Sequence, residues 1–403
     1  MFFYQHPKMK LSKLLPLFYI MLLSSSCNKE SNNNEPINNS ADYTQMAVDG
    51  VNNLIKNFWV IGEGIRPTWG GTNIPDDISD KRGQLWERSM MIFPMYHLYK
   101  LNNDADLHSK LLFEADRLKS KYEESILTQA GHYFNTAIDD CAWNAMLYMI
   151  FYDLTKDEWY INIAKKLIDD AVKRWTDSRD GALYYRDGVN FKSLYTVGLV
   201  IAMLNIYDVT GEQDWLDKAK YHHRWMVSIL GRSDGLFWTD VTSDAPHGIE
   251  APDRIYEANS VSFLTGNQAM CILAKRLYDI EGNENYITQI KKTSRVISSV
   301  YNRGGVYLND RDAFTNGVFM SDFVKKILVN PQFTFSNDDL LLATAESIVT
   351  KGMTPDGYYG GSWQGPTGKG SVWTECGSIP EQVMTSSTAV HVLVAAAILS
   401  NLE

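Results

Sequence analysis

The chain has 403 residues and a formal net charge of -10 at pH 7. No run of Lys or Arg interrupts this acidic balance, which argues against nucleic acid as a partner because phosphate backbones bind to basic patches. Aromatic residues make up 12% of the chain, including 11 Trp and 22 Tyr. Amphipathic rings of this kind suit the apolar faces of sugars, although they also serve ordinary packing.

The first 26 residues are typical of an export signal. Lysines at positions 8, 10 and 13 precede an apolar run from Leu14 to Leu23. A run of about ten residues is too short to span a bilayer. We therefore predict that residues 1–26 are a cleaved signal peptide.

The apolar run ends in Ser24-Ser25-Ser26-Cys27, which resembles the lipobox of bacterial lipoproteins, except that the apolar residue Leu23 lies one position earlier than usual. This resemblance predicts lipidation of Cys27. The polar residues 27–41 that follow cannot bury enough apolar surface to fold, and we expect them to form a flexible tether. The sequence thus predicts a lipid anchor in the bacterial cell envelope, at the outer-membrane surface or the periplasmic face.

The remaining cysteines lack the spacing of a metal site or of a disulfide framework. They are Cys141, Cys271 and Cys376, and we expect small buried residues at these positions. His222 and His223 are adjacent, so their side chains diverge on a helix, unlike paired metal ligands at i and i+4. No metal is therefore expected there.

Four similar segments mark the ends of helical patterns. They read Tyr-Lys-Leu-Asn-Asn-Asp, Tyr-Asp-Leu-Thr-Lys-Asp, Tyr-Asp-Val-Thr-Gly-Glu and Tyr-Asp-Ile-Glu-Gly-Asn, and begin at Tyr99, Tyr152, Tyr207 and Tyr278. Their spacings of 53, 55 and 71 residues leave room for two helices and a loop. The copies place helix-ending residues just before an acidic helix start. The repeated unit is therefore predicted to be a helical hairpin.

Apolar periodicity around these segments predicts an all-α fold of six hairpins. The helices are expected near 42–59, 82–100, 104–124, 139–154, 157–175, 192–209, 213–230, 265–281, 284–301, 313–329, 337–351 and 382–400. The second helix of each successive pair is apolar all round and should lie inside, with its amphipathic neighbour outside. An inner ring of six helices within an outer ring of six gives an (α/α)6 barrel over residues 42–403. An open solenoid is the alternative.

The predicted loops differ between the two rims. Long loops rich in Gly and aromatic residues join each outer helix to the next inner one, at 59–82, 122–138, 175–191, 230–265, 301–312 and 351–381. The opposite rim has mostly the short Tyr-Asp turns. Functional residues concentrate where long loops meet a rigid scaffold, so we expect the site at the N-terminal ends of the inner helices.

Asp139 and Asp140 open the second inner helix. Two adjacent carboxyl groups there can border one cavity at a separation on the order of 5 Å, the spacing of retaining glycosidases. The helix N-terminus favours the ionised form of one group, and the neighbouring charge raises the proton affinity of the other. One group would attack while the other transfers a proton. The spacing does not say which group has which role.

The same dipeptide also has an ordinary explanation, because acidic residues often cap a first helical turn. Asp-Asp occurs at three further places: 76–77, 169–170 and 338–339. Only the pair at 139–140 begins an inner helix behind a long aromatic loop, which contains His132, Tyr133 and Phe134. This position makes it the best catalytic candidate of the four.

The stretch from Asp139 to Tyr148, which reads Asp-Asp-Cys-Ala-Trp-Asn-Ala-Met-Leu-Tyr, resembles the signature region of glycoside hydrolase family 76, whose bacterial and fungal members act on α-1,6-mannan. Three further segments are similar to family segments: Lys192-Ser-Leu-Tyr-Thr-Val-Gly198, Gly266-Asn-Gln-Ala269 and Gly361-Ser-Trp-Gln-Gly-Pro366. The resemblance runs from about Ala41 to the C-terminus. It implies an (α/α)6 barrel, retention of configuration, Asp139 as nucleophile, Asp140 as acid/base and no cofactor.

The chain departs from the family pattern near Ser193 and Val197, where the family has Asn, and at Gly266, where Tyr is usual. Sugar contacts are therefore expected to differ, and another sugar or linkage stays open. Candidate substrate-binding residues are Trp86, Trp143, Asp240, Tyr256, Asn267, Gln268, Trp363 and Trp373. The structural alternative is packing for the aromatic residues and helix capping for the two amides.

Three functions fit the sequence. The leading prediction is a retaining, endo-acting hydrolase of α-1,6-mannosidic linkages in mannan, acting as a monomer. The second keeps the barrel but pairs distant carboxylates, such as Asp140 with Glu257 or Glu375, in an inverting hydrolase of another glycan. The third is a non-catalytic glycan-binding lipoprotein.

Overall fold

The computed structural model describes residues 42–66, 68–69, 72–73, 85–133, 137–242, 263–307, 317–333, 338–364 and 383–402, with the backbone alone at 68–69, 72–73, 85–86, 121–133 and 338. The predicted signal peptide and tether lie outside these residues, as does Cys27. Residues Ala41–Glu403 cluster into one compact unit.

The described residues form twelve helices in six hairpins. They are α1 (Tyr43–Phe58), α2 (Leu85–Asn102), α3 (Ala105–Tyr133), α4 (Ile138–Thr155), α5 (Glu158–Trp175), α6 (Thr196–Thr210), α7 (Gln213–Ile229), α8 (Leu264–Glu281), α9 (Glu284–Val300), α10 (Met320–Phe323, continued by a π-helical turn at Val324–Leu328), α11 (Asp338–Lys351) and α12 (Val383–Ser400). Four short antiparallel strand pairs accompany them, β1 (Trp59–Val60) with β2 (Gly64–Ile65), β3 (Thr68–Trp69) with β4 (Thr72–Asn73), β5 (Phe191–Ser193) with β6 (Asp240–Thr242), and β7 (Asn302–Arg303) with β8 (Val306–Tyr307).

The even-numbered helices form a closed inner ring. Each of α2, α4, α6, α8 and α10 packs against the next even-numbered helix, and α12 packs back against α2. Their side chains are buried almost throughout; in α12 every residue from Val383 to Leu399 is buried. The α12 helix is long and apolar enough to cross a bilayer, but it is 94% buried inside the ring. The predicted (α/α)6 barrel is thus confirmed, and the closed contacts exclude an open solenoid.

The first and last helices form the seam of the ring. Helix α1 packs closely along α12. A Cβ atom on Gly50 of α1 would lie only 2.8 Å from Leu393 Cδ1, so glycine permits this close approach. At the end of the seam the side-chain amide of Asn401 donates a hydrogen bond to Thr44 Oγ1 at 3.0 Å.

The four repeated Tyr segments have one backbone conformation in common. A left-handed residue follows each tyrosine by four positions, and its N–H donates to the tyrosine carbonyl; these residues are Asn103, Lys156, Gly211 and Gly282. The next residue then precedes the following outer helix directly, as its N-cap. Asp157, for example, accepts a hydrogen bond from the Trp159 N–H. The predicted helix ends within the hairpins are therefore confirmed. Each helix ends in a residue of left-handed conformation, as helices commonly do.

Short antiparallel turns at the other rim follow the outer helices and were not predicted. Besides β1–β2 and β7–β8, isolated bridges join Thr176 to Leu183, Gly231 to Phe237 and Met353 to Tyr359. Asp-Gly pairs at 180–181, 234–235 and 356–357 form the turns, in which each glycine has a positive φ. These pairs were a readable signal, because Asp-Gly is a common turn dipeptide.

Three predicted boundaries were wrong. Helix α3 continues to Tyr133 instead of ending near 124, because no Pro interrupts this stretch. Helix α6 begins at Thr196 instead of 192, because residues 191–193 pair with β6. Helix α10 begins only at Met320, and residues 308–316 before it lie outside the described residues.

Candidate active site

The two candidate catalytic carboxylates lie in the first turn of α4. Asp139 and Asp140 are both partly buried, and the residue before the helix, Ala137, offers no side-chain cap. The Asp140 N–H donates to Asp139 Oδ1 at 3.1 Å. The positive end of the helix dipole favours the ionised form of carboxylates at this position. The inner-ring location predicted for this pair is therefore confirmed.

A tyrosine that the sequence analysis missed contacts this pair. The Tyr185 hydroxyl donates to Asp139 Oδ2 at 3.3 Å. Burial, and then the charges of Asp139 and Asp140, raise the pKa of Tyr185 well above its ordinary range. Tyr185 therefore remains a hydrogen-bond donor across the whole physiological pH range. Its position in a long aromatic loop was the available signal.

Backbone hydrogen bonds fix the Tyr185 loop to the start of α4. The Ile138 N–H donates to the Tyr185 carbonyl at 2.9 Å, and the Tyr185 N–H donates to the Phe191 carbonyl at 3.0 Å. Phe191 begins β5, whose partner strand β6 begins with Asp240 opposite Ser193. The predicted site residue Asp240 thus lies, partly exposed, on the strand pair that holds this loop.

A buried cation holds the same loop from the other side. Lys192 of β5 is 2% exposed, and its Nζ lies 2.5 Å from both carboxylate oxygens of Asp180 and 3.0 Å from Asp177 Oδ2. Hydrogen bonds from Arg179, followed by those from Lys192 and Tyr184, hold the pKa of Asp177 far below its ordinary range. Lys192, which belongs to one of the segments that resemble family 76, therefore stabilises the structure of the loop.

Aromatic rings continue from Tyr185 across the rim. Tyr185 stacks on Phe191 with ring centroids 5.1 Å apart and lies 5.8 Å from the Tyr195 ring. Tyr195 in turn stacks on Phe263 at 4.8 Å. This aromatic run joins the loop before α6 to the loop before α8, and the Tyr185 carbonyl connects it to the start of α4. Rings of this kind can stack on the apolar face of a sugar.

The two amide candidates are buried at the start of α8. Asn267 accepts a hydrogen bond from the Phe237 N–H at 3.0 Å and donates to the Phe263 carbonyl at 2.8 Å, so it ties two loops to the helix. Gln268 donates to Met320 Sδ at 3.0 Å, and its Oε1 has no protein partner within the described part of the chain. Geometry favours the capping alternative for Asn267 and leaves Gln268 with an acceptor to offer.

The tryptophan candidates that can be placed are buried. Trp143 is 4% exposed and packs between Phe93 and Phe319, with centroids 6.5 and 5.7 Å away. Trp363 is 1% exposed. The side chain of Trp86 lies outside the described residues, although its backbone belongs to α2. Tyr256 and Trp373, and the alternative carboxylates at 257 and 375, also lie outside them.

Several buried polar groups at the same end of the inner ring have no hydrogen-bond partner. Among the residues that the structure describes, these atoms lie in or just before the first two turns of inner helices. They belong to Glu87, Gln268, Ser321, Thr385 and Ser387; the indole N–H of Trp363, in the loop at 361–364, also lacks a partner. Buried polar groups are nearly always satisfied, so these exceptions at the starts of inner helices suit a polar ligand with many hydroxyl groups.

The described cysteines match the expectation of small buried residues. Cys141 and Cys271 are reduced and fully buried, whereas Cys376 lies outside the described residues. Burial, together with the charges of Asp140 and Asp139, raises the pKa of Cys141 well above its ordinary value. Within the described ranges no group of three or more His, Cys, Asp or Glu side chains is arranged to hold a metal ion.

Solved structures resemble this fold at low sequence identity. The GH76A α-1,6-mannanase of Salegentibacter sp. HEL1_6 matches with a TM-score of 0.68 and 18% identity, over 90% of this chain and 100% of that one. An inactive variant of that enzyme, with two adjacent aspartates replaced by asparagine and α-1,6-mannotriose bound, matches with a TM-score of 0.69 and 18% identity, over 89% and 100%. A family 76 mannosidase of Bacteroides thetaiotaomicron matches with a TM-score of 0.66 and 14% identity, over 90% and 99%.

Sequence comparison assigns the family. No curated protein matches the chain. The model of glycosyl hydrolase family 76 matches residues 45–397, which is nearly the whole of the barrel. The two-ring fold and the paired aspartates at an inner-helix start agree with that match. The chain therefore belongs to glycosyl hydrolase family 76 and is a glycoside hydrolase.

Proposed function

We propose that this glycoside hydrolase is a retaining, endo-acting enzyme that cleaves α-1,6-mannosidic linkages in mannan. The observation that carries the proposal is the position of Asp139 and Asp140 together in the first turn of α4, beside the Tyr185 hydroxyl. Unpartnered buried polar atoms at the starts of other inner helices suit the hydroxyl groups of a glycan. The structurally similar Salegentibacter enzyme, which binds α-1,6-mannotriose, is inactive when two adjacent aspartates are replaced.

In the proposed mechanism the two carboxyl groups have separate roles. Asp139 attacks the anomeric carbon while Asp140 gives its proton to the departing glycosidic oxygen, so that a glycosyl ester forms on Asp139. Asp140 then accepts a proton from water as the water oxygen attacks the same carbon. The ester bond breaks, its electron pair returns to Asp139, and the product keeps the α configuration.

The test is digestion of linear α-1,6-mannan by the wild type and by the Asp139→Asn and Asp140→Asn variants. We expect oligosaccharides of mixed length, with the α-anomer appearing first in proton NMR spectra, and a loss of several orders of magnitude in rate for each variant. Asp169→Asn is the matched control, because Asp169 belongs to an Asp-Asp pair on the outer helix α5. It should retain full activity.

Three other outcomes would redirect the assignment. Full activity in either Asp139→Asn or Asp140→Asn would remove the proposed roles. Initial release of the β-anomer would favour the inverting alternative. Tight binding of mannan without any cleavage by the wild type would favour the glycan-capture alternative.

We further propose that the enzyme acts as a monomer that is anchored in the bacterial cell envelope through lipid on Cys27. The lipobox resemblance at Ser24-Ser25-Ser26-Cys27 and the polar residues after it support this proposal. Metabolic labelling with an alkynyl fatty acid should label the wild type but not Cys27→Ala, which should appear in the soluble fraction. Equal labelling of both proteins would contradict lipidation at this cysteine. Light scattering of the protein without its leader tests the monomer.

A further inference from the structure

Tyr185 is fixed in place by three separate constraints. Its carbonyl accepts from the Ile138 N–H, its own N–H donates to the Phe191 carbonyl, and its ring stacks on Phe191 with an interplanar angle of 20°. The ion pair between Lys192 and Asp180 also holds the turn that precedes Tyr185 in this loop. The hydroxyl therefore needs no reorganisation to stay near Asp139 Oδ2. Preorganised donors of this kind contribute to catalysis because their ordering cost is met during folding.

The two oxygens of Asp139 have different partners. The Asp140 N–H donates to Oδ1 and the Tyr185 hydroxyl donates to Oδ2. A hydrogen bond to an ionised carboxylate is stronger than one to an ester oxygen, since the ester carries no net charge. The Tyr185 contact therefore weakens when Asp139 is glycosylated and strengthens when Asp139 is released.

We propose that Tyr185 is a further catalytic residue, whose hydroxyl stabilises the Asp139 carboxylate as the glycosyl-enzyme is hydrolysed. In this step the water oxygen bonds to the anomeric carbon and the bond between that carbon and Asp139 breaks. The electron pair of the broken bond returns to Asp139, and the water proton goes to Asp140. Tyr185 keeps its own proton throughout and only donates a hydrogen bond. The proposal rests on the proposed retaining function.

The first test measures Asp139 without any substrate. The carboxyl carbon of Asp139 is followed by 13C NMR against pH in the wild type and in Tyr185→Phe, with Asp139→Asn identifying the signal. Loss of the donor should raise the pKa of Asp139 by about one unit, the equivalent of one hydrogen bond to a charged group. Tyr184→Phe is the matched control, because it removes a hydroxyl from the adjacent residue that is bonded to Asp177 instead. The control should leave the Asp139 signal unchanged.

The second test separates the two chemical steps on α-1,6-mannotetraose. In Tyr185→Phe, breakdown of the glycosyl-enzyme should slow by about tenfold or more. The intermediate should therefore accumulate, as seen by intact-protein mass spectrometry after rapid acid quenching. The acidic limb of the kcat/KM profile should move to higher pH by the same unit as the NMR titration.

The outcomes distinguish this proposal from the proposed function. An unchanged Asp139 titration and an unchanged acidic limb in Tyr185→Phe, in an enzyme that cleaves mannan with retention, would overturn the role of Tyr185 alone. If the titration moves while the wild type cleaves no α-1,6-mannan, the hydrogen bond stands and the proposed function fails. An equal effect of Tyr184→Phe would reduce Tyr185 to a structural part of the loop.

Discussion

Phe263 occupies the space that a side chain at position 266 would need. A Cβ atom on Gly266 would lie 2.6 Å from Cζ of Phe263 and 2.7 Å from Cδ2 of Leu194. Phe263 also stacks on Tyr195, which continues the aromatic run toward Tyr185. A side chain at position 266 would therefore compete for space with a phenylalanine three residues earlier in the chain.

The overlap between Phe263 and a side chain at position 266 predicts that two mutations should compensate each other. Gly266→Tyr alone should destabilise the fold by about 1–3 kcal/mol or more, because the core beside it is already filled. Phe263→Ala should relieve part of that cost, so the double variant is more stable than the sum of the single changes. Urea unfolding of the wild type, the two single variants and the double variant measures this coupling. Strict additivity would contradict the steric overlap between Phe263 and a side chain at position 266.

The Lys192 clamp predicts a large effect of removing one buried charge. Lys192→Met leaves Asp180 without its cation and should cost roughly 3–5 kcal/mol in unfolding free energy. Lys192→Met combined with Asp180→Asn should recover part of this loss. Activity should also fall in Lys192→Met molecules that remain folded, because the clamp holds the Tyr185 loop. Lys218→Met is the control at the outer surface, where loss of the ion pairs with the exposed carboxylates of Asp169 and Asp214 should cost less than about 1 kcal/mol.

Because the carboxyl group of Glu87 is buried, we expect the unfolding free energy to fall as the pH rises. Burial raises its pKa from the ordinary 4.5 to about 8, with Arg88 opposing the shift. Between these values the unfolded chain releases a proton that the folded state keeps, so the unfolding free energy decreases from pH 4.5 to about 8 and is then level. Glu87→Gln should stabilise the protein at pH 7 by on the order of 2 kcal/mol. Urea unfolding at pH 5 and 7.5 should show a gain that is larger at the higher pH.

For two buried histidines we expect the opposite dependence, in which the unfolding free energy falls as the pH is lowered. Burial lowers the pKa of both His222 and His223 from 6.5 to about 4. Below pH 6.5 the unfolded chain takes up protons that the folded state refuses, so the unfolding free energy falls as the pH drops toward 4. Replacing both with Phe should flatten this slope relative to the wild type. The same slope in both proteins would show that other groups control acid unfolding.

The sequence predicted the ring well because its determinants are local. The Tyr segments encode helix stops directly, and Asn103 and Gly211 take the left-handed conformation that these stops need. The contrast between uniformly apolar and amphipathic helices then separates the inner ring from the outer one. Local signals of this kind do not depend on knowing which distant residues meet.

The detailed site depends on contacts between distant parts of the chain. Tyr185 reaches Asp139 across 46 residues, through backbone bonds that no pattern within either segment encodes. The choice between substrate contact and helix capping for Asn267 was likewise decided by the Phe237 N–H of a preceding loop. Periodicity also missed the strand that begins at Phe191, because three residues are too few to show it.

The seam between α1 and α12 brings together the first and the twelfth helix of the ring. The sixth inner helix, α12, follows the other eleven helices in the chain and is therefore synthesised after them. Until then α1 lacks its main packing partner, and the Gly50–Leu393 contact cannot form. Closure of the ring is thus a long-range event that cannot occur until α12 has been synthesised. A product cut short before α12 would carry both aspartates in sequence and yet have an unclosed ring around them.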